Sequence, residues 1–148
     1  MAGFFVFFFF EVIMKCNADV EKSWQAACQT LSNSYSPYSE FQVAAGLLSA
    51  DGRVFTGCNV ENASYGATIC AERVAFFKAV SEGVRNFSAL VVVTPTEKMT
   101  PPCALCLQVL AEFCPPEFPV YLANCTEIRE KYEFVQLLTR PFGPAYLS

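Results

Sequence analysis

Three cysteines and one glutamate stand out for the chemistry they could do together. Pro102-Cys103-Ala104-Leu105-Cys106 places two thiols three residues apart, a spacing that puts both on one face of a helix. Proline is well tolerated in a first helical turn, so the pair belongs near the positive end of that helix, where the thiolate form is favoured. Two cysteines alone leave two chemistries open, a redox pair or half of a zinc site. Thr68-Ile69-Cys70-Ala71-Glu72-Arg73 supplies a third thiol, a carboxylate two residues on and a cation next to that. Three protein ligands with an open fourth position are the pattern of catalytic zinc, whereas structural sites are usually closed by four. Three thiolates give such a centre a net charge of about −1, which makes a bound water less acidic. Arg73 and two helix N-termini are the compensating positive charges, and Glu72 is the obvious proton carrier. Residues two apart in a regular helix do not share a face. Either Cys70 stands at the start of its helix, or the longer Glu72 reaches around.

The rest of the composition narrows the choices. The chain has 148 residues with eight cysteines and no histidine. Any metal must therefore be held by Cys, Asp or Glu, and any acid or base must be a carboxylate, Lys, Tyr or Cys. Clustered cysteines in a core-rich chain of this length suit metal binding in a reducing, cytoplasmic compartment better than a disulfide scaffold. Hydrophobic residues make up 53% and charged residues 16%, enough apolar material for one compact domain. The net charge of −4 argues against nucleic acid as a partner. The phenylalanine-rich start, MAGFFVFFFF, is too short to span a membrane and lacks the basic flank of a signal peptide. Residues 1–13 are expected to be an extraneous or disordered apolar extension ahead of a start at Met14, with 14–148 forming a single catalytic domain.

The elements that must position these groups can be read from periodicity. Residues 19–32 predict an amphipathic helix with Val20, Trp24, Ala27, Cys28 and Leu31 on one stripe, broken at Ser36-Pro37. Residues 41–49 and 53–60 read as strands joined at Asp51-Gly52, a good hairpin turn. A helix over 70–82 follows. Residues 88–94 form a continuous apolar strand of the kind covered on both faces. A helix over 103–113, a strand over 119–123 and a short helix over 133–138 complete the chain. A hairpin followed by alternating helices and strands implies an α/β fold, a mixed sheet with helices on both faces.

Cys70-Ala71-Glu72 followed by Pro102-Cys103-x-x-Cys106 resembles the signature of the zinc-dependent nucleoside deaminases. The likeness extends to Pro37-Tyr38-Ser39-Glu40-Phe41, to Thr56-Gly57-Cys58-Asn59-Val60-Glu61-Asn62-Ala63-Ser64-Tyr65-Gly66, to Phe77-Lys78-Ala79-Val80-Ser81-Glu82-Gly83 and to Gln108-Val109-Leu110. With Leu137-Leu138 and Phe142-Gly143-Pro144 it covers roughly residues 19–148, and it is similar to the small homotetrameric cytidine deaminases. The resemblance implies a three-layer α/β/α sandwich around a mixed sheet. It also implies hydrolytic deamination of free cytidine and deoxycytidine to the uridine forms with release of ammonia. Residue by residue, it implies zinc on Cys70, Cys103 and Cys106, Glu72 as proton shuttle and Arg73 as the compensating cation. It further implies nucleoside contacts from Phe41, Asn59, Glu61 and Ala71, and from Phe142 contributed by a neighbouring subunit.

Some positions depart from the family pattern or keep a plainer alternative. Ala104 and Leu107 stand where the family commonly has glycine and arginine, which leaves the thiolate cluster more negative or removes a contact near it. Cys58 is expected in the core rather than as a fourth ligand. Phe41 alternates with Val43, Ala45 and Leu47, so a core role stands beside base stacking. Two rival functions remain open at this level. One is deamination of a modified cytosine nucleoside, such as an aminoacyl-nucleoside antibiotic of the blasticidin S kind. The other is a zinc-stabilised scaffold without catalysis; behind both stands a redox protein that cycles Cys103 and Cys106.

Overall fold

The computed structural model describes residues 18–147. The expected extension over 1–13, the start at Met14 and Cys16 lie outside the described residues. Helix α1 (Ala18–Thr30) leads into the hairpin β1 (Ala44–Ser49) and β2 (Val54–Cys58), then helix α2 (Ala71–Ser81) and strand β3 (Phe87–Val93). Helix α3 (Ala104–Phe113), strands β4 (Pro119–Ala123) and β5 (Ile128–Glu133) and the one-turn helix α4 (Phe134–Leu137) follow. The five strands lie in the order β2-β1-β3-β4-β5. The β3–β4 pair is parallel and the other three pairs are antiparallel. Gly52, at φ +85°, makes the tight turn of the hairpin.

Alternation along the strands sorts the core into two layers. Ala44, Leu48, Ala89, Val91 and Val93 face α1, where they meet Val20, Ala27 and Leu31. Ala45, Leu47, Phe55, Leu90 and Val92 face the other way, onto Ala71, Ala75 and Phe76 of α2 and Leu107 and Leu110 of α3. The result is the expected three-layer α/β/α sandwich with a mixed sheet. Two glycines set how closely the layers approach. A Cβ on Gly46 would lie 2.4 Å from the Ser23 carbonyl oxygen of α1, and one on Gly57 only 2.3 Å from the Ala71 carbonyl oxygen of α2.

Three features differ from the sequence expectation. Strand β5 falls where periodicity predicts no element, because Ile-Arg-Glu-Lys-Tyr-Glu carries charge on both faces. It is nonetheless a sheet edge, held by the antiparallel ladder to β4, where charges are tolerated and discourage further pairing. The first strand begins at Ala44 rather than at 41, since the Asn59 side chain takes over the hydrogen bonding of the preceding residues. The last helix covers only 134–137, fixed by a capping box between Glu133 and Gln136.

Candidate active site

Both cysteine motifs sit where a strand or loop hands over to a helix. Cys70 is the N-cap of α2, with extended backbone at φ −77° and ψ 153°. Cys103 is the N-cap of α3 at φ −70° and ψ 167°. This answers the spacing problem at Cys70 and Glu72. Cys70 is not yet helical, so its thiol points off the end of α2 while Glu72 lies inside the first turn. Pro102 precedes the cap and so stands just outside the helix. Cys106 is one turn further along α3, fully buried.

The three sulfurs converge. Cys70 Sγ lies 3.7 Å from Cys103 Sγ, and Cys103 Sγ lies 3.6 Å from Cys106 Sγ. All three ligand atoms fall within 4.8 Å of one another. A tetrahedral zinc with metal–sulfur bonds of about 2.3 Å separates its sulfurs by roughly 3.8 Å, and the two spacings from Cys103 match that value. Among the described residues no fourth cysteine or carboxylate joins it, which leaves one position open. Cys58 is half-buried on β2, with its thiol pushed up by burial.

The charges around the cluster follow from its surroundings. Cys70 is held down to about 5, first by the hydrogen bond from the Cys106 thiol and then by the Arg73 guanidinium, against the opposing effect of burial. Arg73 Nη2 donates to Cys70 Sγ at 3.5 Å. The Cys106 thiol is pushed up by the same Cys70 bond and by burial. Glu72, 4% exposed, is the one buried carboxylate among the described residues. Burial is the main cause that pushes it up to about 7, and the negative Cys70 adds to it. Such a carboxyl is poised to take and give protons near neutrality. The N-termini of α2 and α3 both aim at the sulfurs and favour negative charge there.

The nucleoside-contact candidates gather on the segment over residues 34–43 and the strand end beside it. Asn59 is buried, and its amide is largely engaged. Its Oδ1 accepts from Val43 N at 2.9 Å and from Ser34 Oγ at 2.5 Å, while Nδ2 donates to the Phe41 carbonyl at 2.8 Å. Glu61 Oε2 accepts from the backbone N–H groups of Tyr38 (2.9 Å) and Ser39 (3.2 Å), and the Ser39 hydroxyl donates to Oε1. These bonds, the Ser39 hydroxyl first, hold its carboxyl below the usual range. Asn59 retains one N–H and Glu61 about one lone pair beyond these bonds. Phe41 is half-buried in the loop that these residues brace. Ala71 is fully buried at the first position of α2, under Gly57.

Phe142 stands apart from that group. It is 57% exposed and stacks on Tyr146 at a centroid distance of 5.6 Å. Its carbonyl accepts from Gln108 Nε2 at 2.7 Å, which ties the tail to the helix that carries Cys106. The sequence reading gave no separate role to Ser34 or Ser39, the hydroxyls that hold the Asn59–Glu61 pair. Ser39 belongs to the Pro37–Phe41 stretch that carries the family resemblance. Ser34, one of several hydroxyl residues between 32 and 39, carries no signal that separates it from its neighbours.

Residues 18–122 match the model of a family described as the cytidine and deoxycytidylate deaminase zinc-binding region. A cytidine deaminase of Sporosarcina psychrophila is 48% identical over 130 residues, 88% of this chain and 96% of the relative. One from Halalkalibacterium halodurans is 55% identical over 98 residues, 66% of this chain and 74% of the relative. Among solved structures, the cytidine deaminase of Burkholderia pseudomallei superposes with a TM-score of 0.77 at 42% identity, covering 82% of this chain and 98% of that one.

Proposed function

The chain belongs to the cytidine and deoxycytidylate deaminase family, and from that premise we propose how its own residues divide the work. The reaction is hydrolytic deamination of cytidine, in which water replaces the exocyclic amine and ammonia leaves, a step consistent with pyrimidine salvage. Its cofactor is zinc. We assign the metal to Cys70, Cys103 and Cys106, and the observation that carries this is their sulfur spacing with one position left open. Bound there, zinc supplies the Lewis acidity that activates a water molecule for attack.

Glu72 does the proton work. Its carboxylate accepts a proton from the attacking water and delivers it to N3 of the pyrimidine, then takes the second proton from the oxygen now on C4 and passes it to the amine, which leaves as ammonia while the C4 carbonyl forms. Its burial beside the sulfurs supports this role. Arg73, bonded to Cys70, offsets the charge of three thiolates. The N–H left on Asn59 and the lone pair left on Glu61 complement a sugar hydroxyl, which both accepts and donates. Phe41 and Ala71 flank the base, and deoxycytidine is accepted alongside cytidine.

The exposed Phe142–Tyr146 stack supports a homotetramer in which the tail of one subunit completes the site of another. No helix among the described residues is long and apolar enough to cross a membrane, and we place the enzyme in the cytoplasm with residues 14–148 as the catalytic domain. Zinc content and loss of cytidine absorbance, measured on one purified sample, test the assignment. About one zinc per chain with steady conversion to uridine is expected. Zinc without release of ammonia from any cytosine nucleoside would leave only the scaffold.

A further inference from the structure

We propose that Ser34 is a positioning residue for sugar recognition. Its hydroxyl fills the second acceptor position of the Asn59 side-chain oxygen, beside the Val43 N–H, so that the nitrogen, and not the oxygen, is offered to the ligand. This rests on the reading that Asn59 contacts the sugar.

A side-chain amide can rotate by half a turn and exchange its donor for its acceptor with little change of shape. What fixes it is the set of partners around it. Asn59 Oδ1 has two lone pairs, one taken by Val43 N at 2.9 Å and the other by Ser34 Oγ at 2.5 Å. One Nδ2 hydrogen goes to the Phe41 carbonyl at 2.8 Å. Three of the four hydrogen-bonding positions are then filled, and the fourth is an N–H. Without the Ser34 hydroxyl the oxygen keeps a free lone pair, and a ligand hydroxyl meets a less defined group.

Ser34 is itself well placed to hold this bond. Its backbone N–H closes the 3-10 turn onto Leu31 O at 3.1 Å, and the next residue, Tyr35, donates its N–H to Asn59 O at 3.1 Å. The serine and the asparagine are thus joined by backbone as well as side chain. Ser36 Oγ lies 3.3 Å from Ser34 Oγ, a longer contact for the same hydroxyl hydrogen than the 2.5 Å to Asn59 Oδ1. Ser34 bonds to nothing in the cysteine cluster, so it acts on binding and not on proton transfer.

The test is a kinetic cycle on the zinc-loaded enzyme with cytidine as substrate. Ser34→Ala should raise KM about 10-fold, the worth of one well-placed hydrogen bond, with kcat within about 2-fold of the parent. Ser34→Thr, which keeps the hydroxyl, should restore KM. In an Asn59→Ala background the Ser34→Ala change should add nothing, because the group it positions is gone. An unchanged KM in Ser34→Ala, or a rise that persists in full in the Asn59→Ala background, would overturn the proposal. Should Ser34→Ala fail to fold, Ser34→Cys keeps the side-chain shape and weakens the donor. It must then give an intermediate KM, and a parent-like value counts against the claim. If Asn59→Ala alone leaves KM for cytidine unchanged, the sugar reading itself has failed, a result separable from failure at Ser34.

Discussion

Gly57 and Gly46 give a paired test of how the sheet positions the catalytic groups. They lie on neighbouring strands and face opposite layers. A Cβ at Gly57 would meet Ala71 O at 2.3 Å, Ala75 N at 2.7 Å and Val74 Cβ at 2.9 Å. The first two are helix backbone, so no side chain can swing aside. Ordinary contact is regained only when the start of α2 retreats by roughly 1 Å. That start carries Cys70 as its N-cap and Glu72 in its first turn. Overpacking of this kind costs about 1–3 kcal/mol, or a fall in Tm of roughly 2–12 °C for a chain of this size. A misplacement of ~1 Å at reacting groups costs on the order of 10²-fold in rate. Gly46→Ala is the control, since its Cβ would press on Ser23 O at 2.4 Å in α1, on the far side of the sheet. Both variants should melt earlier by similar amounts. Only Gly57→Ala should lose kcat by about 100-fold per folded molecule and bind zinc more weakly, measured by calorimetry, steady-state kinetics and competition with a chelator. Equal kcat in the two variants would refute the claim that the β2–α2 contact sets the site.

Four further outcomes follow from the same geometry. Cys103→Ala removes one of three sulfurs and should lose zinc and activity together, with a lower Tm, as read by metal analysis and thermal melting. Free cytosine should be a very poor substrate, down by as much as ~10⁴-fold in kcat/KM, because it leaves the sugar-reading groups unpaired; comparable turnover of base and nucleoside would remove Asn59 and Glu61 from the site. Cys114, whose thiol burial pushes up to about 12, stays protonated throughout the neutral range and should resist alkylation at pH 8, where the exposed Cys125 is labelled, a contrast mass spectrometry resolves. Chains starting at Met14 should keep full activity and scatter light as a tetramer, and Phe142→Ala should lower activity there; a fully active monomer would dismiss the shared site.

How much of this was legible in the sequence depended on how local each requirement is. Zinc needs particular atoms, and Cys70-Ala71-Glu72 with Pro102-Cys103-x-x-Cys106 states them within two short stretches. That the central strand is covered on both faces was equally readable, since 88–94 is one continuous apolar run. What escaped was set by distant partners. The charges of Ile128–Glu133 hide a strand because edge position and the β4 ladder, not side-chain type, make it one. Residues 41–43 alternate like a strand, but Asn59 captures their backbone from across the chain. The bond from Ser34 to Asn59 spans 25 residues, and no local pattern announces it. The relation of Cys70 to Glu72 could be posed from spacing and answered only by the cap geometry at Cys70.

The central claim is that Glu72 moves protons beside a metal it does not hold. Glu72→Gln keeps the side-chain shape and leaves all three sulfurs in place. Zinc content and deaminase rate on the same preparation of this variant test the claim most directly. The expected result is about one zinc per chain, an unchanged fold and a rate lower by at least ~10²–10⁴-fold, since one positioned acid–base group contributes that much and this one serves several steps. Near-normal deamination would contradict the account by placing the chemistry elsewhere, and loss of zinc would contradict it by making Glu72 a ligand.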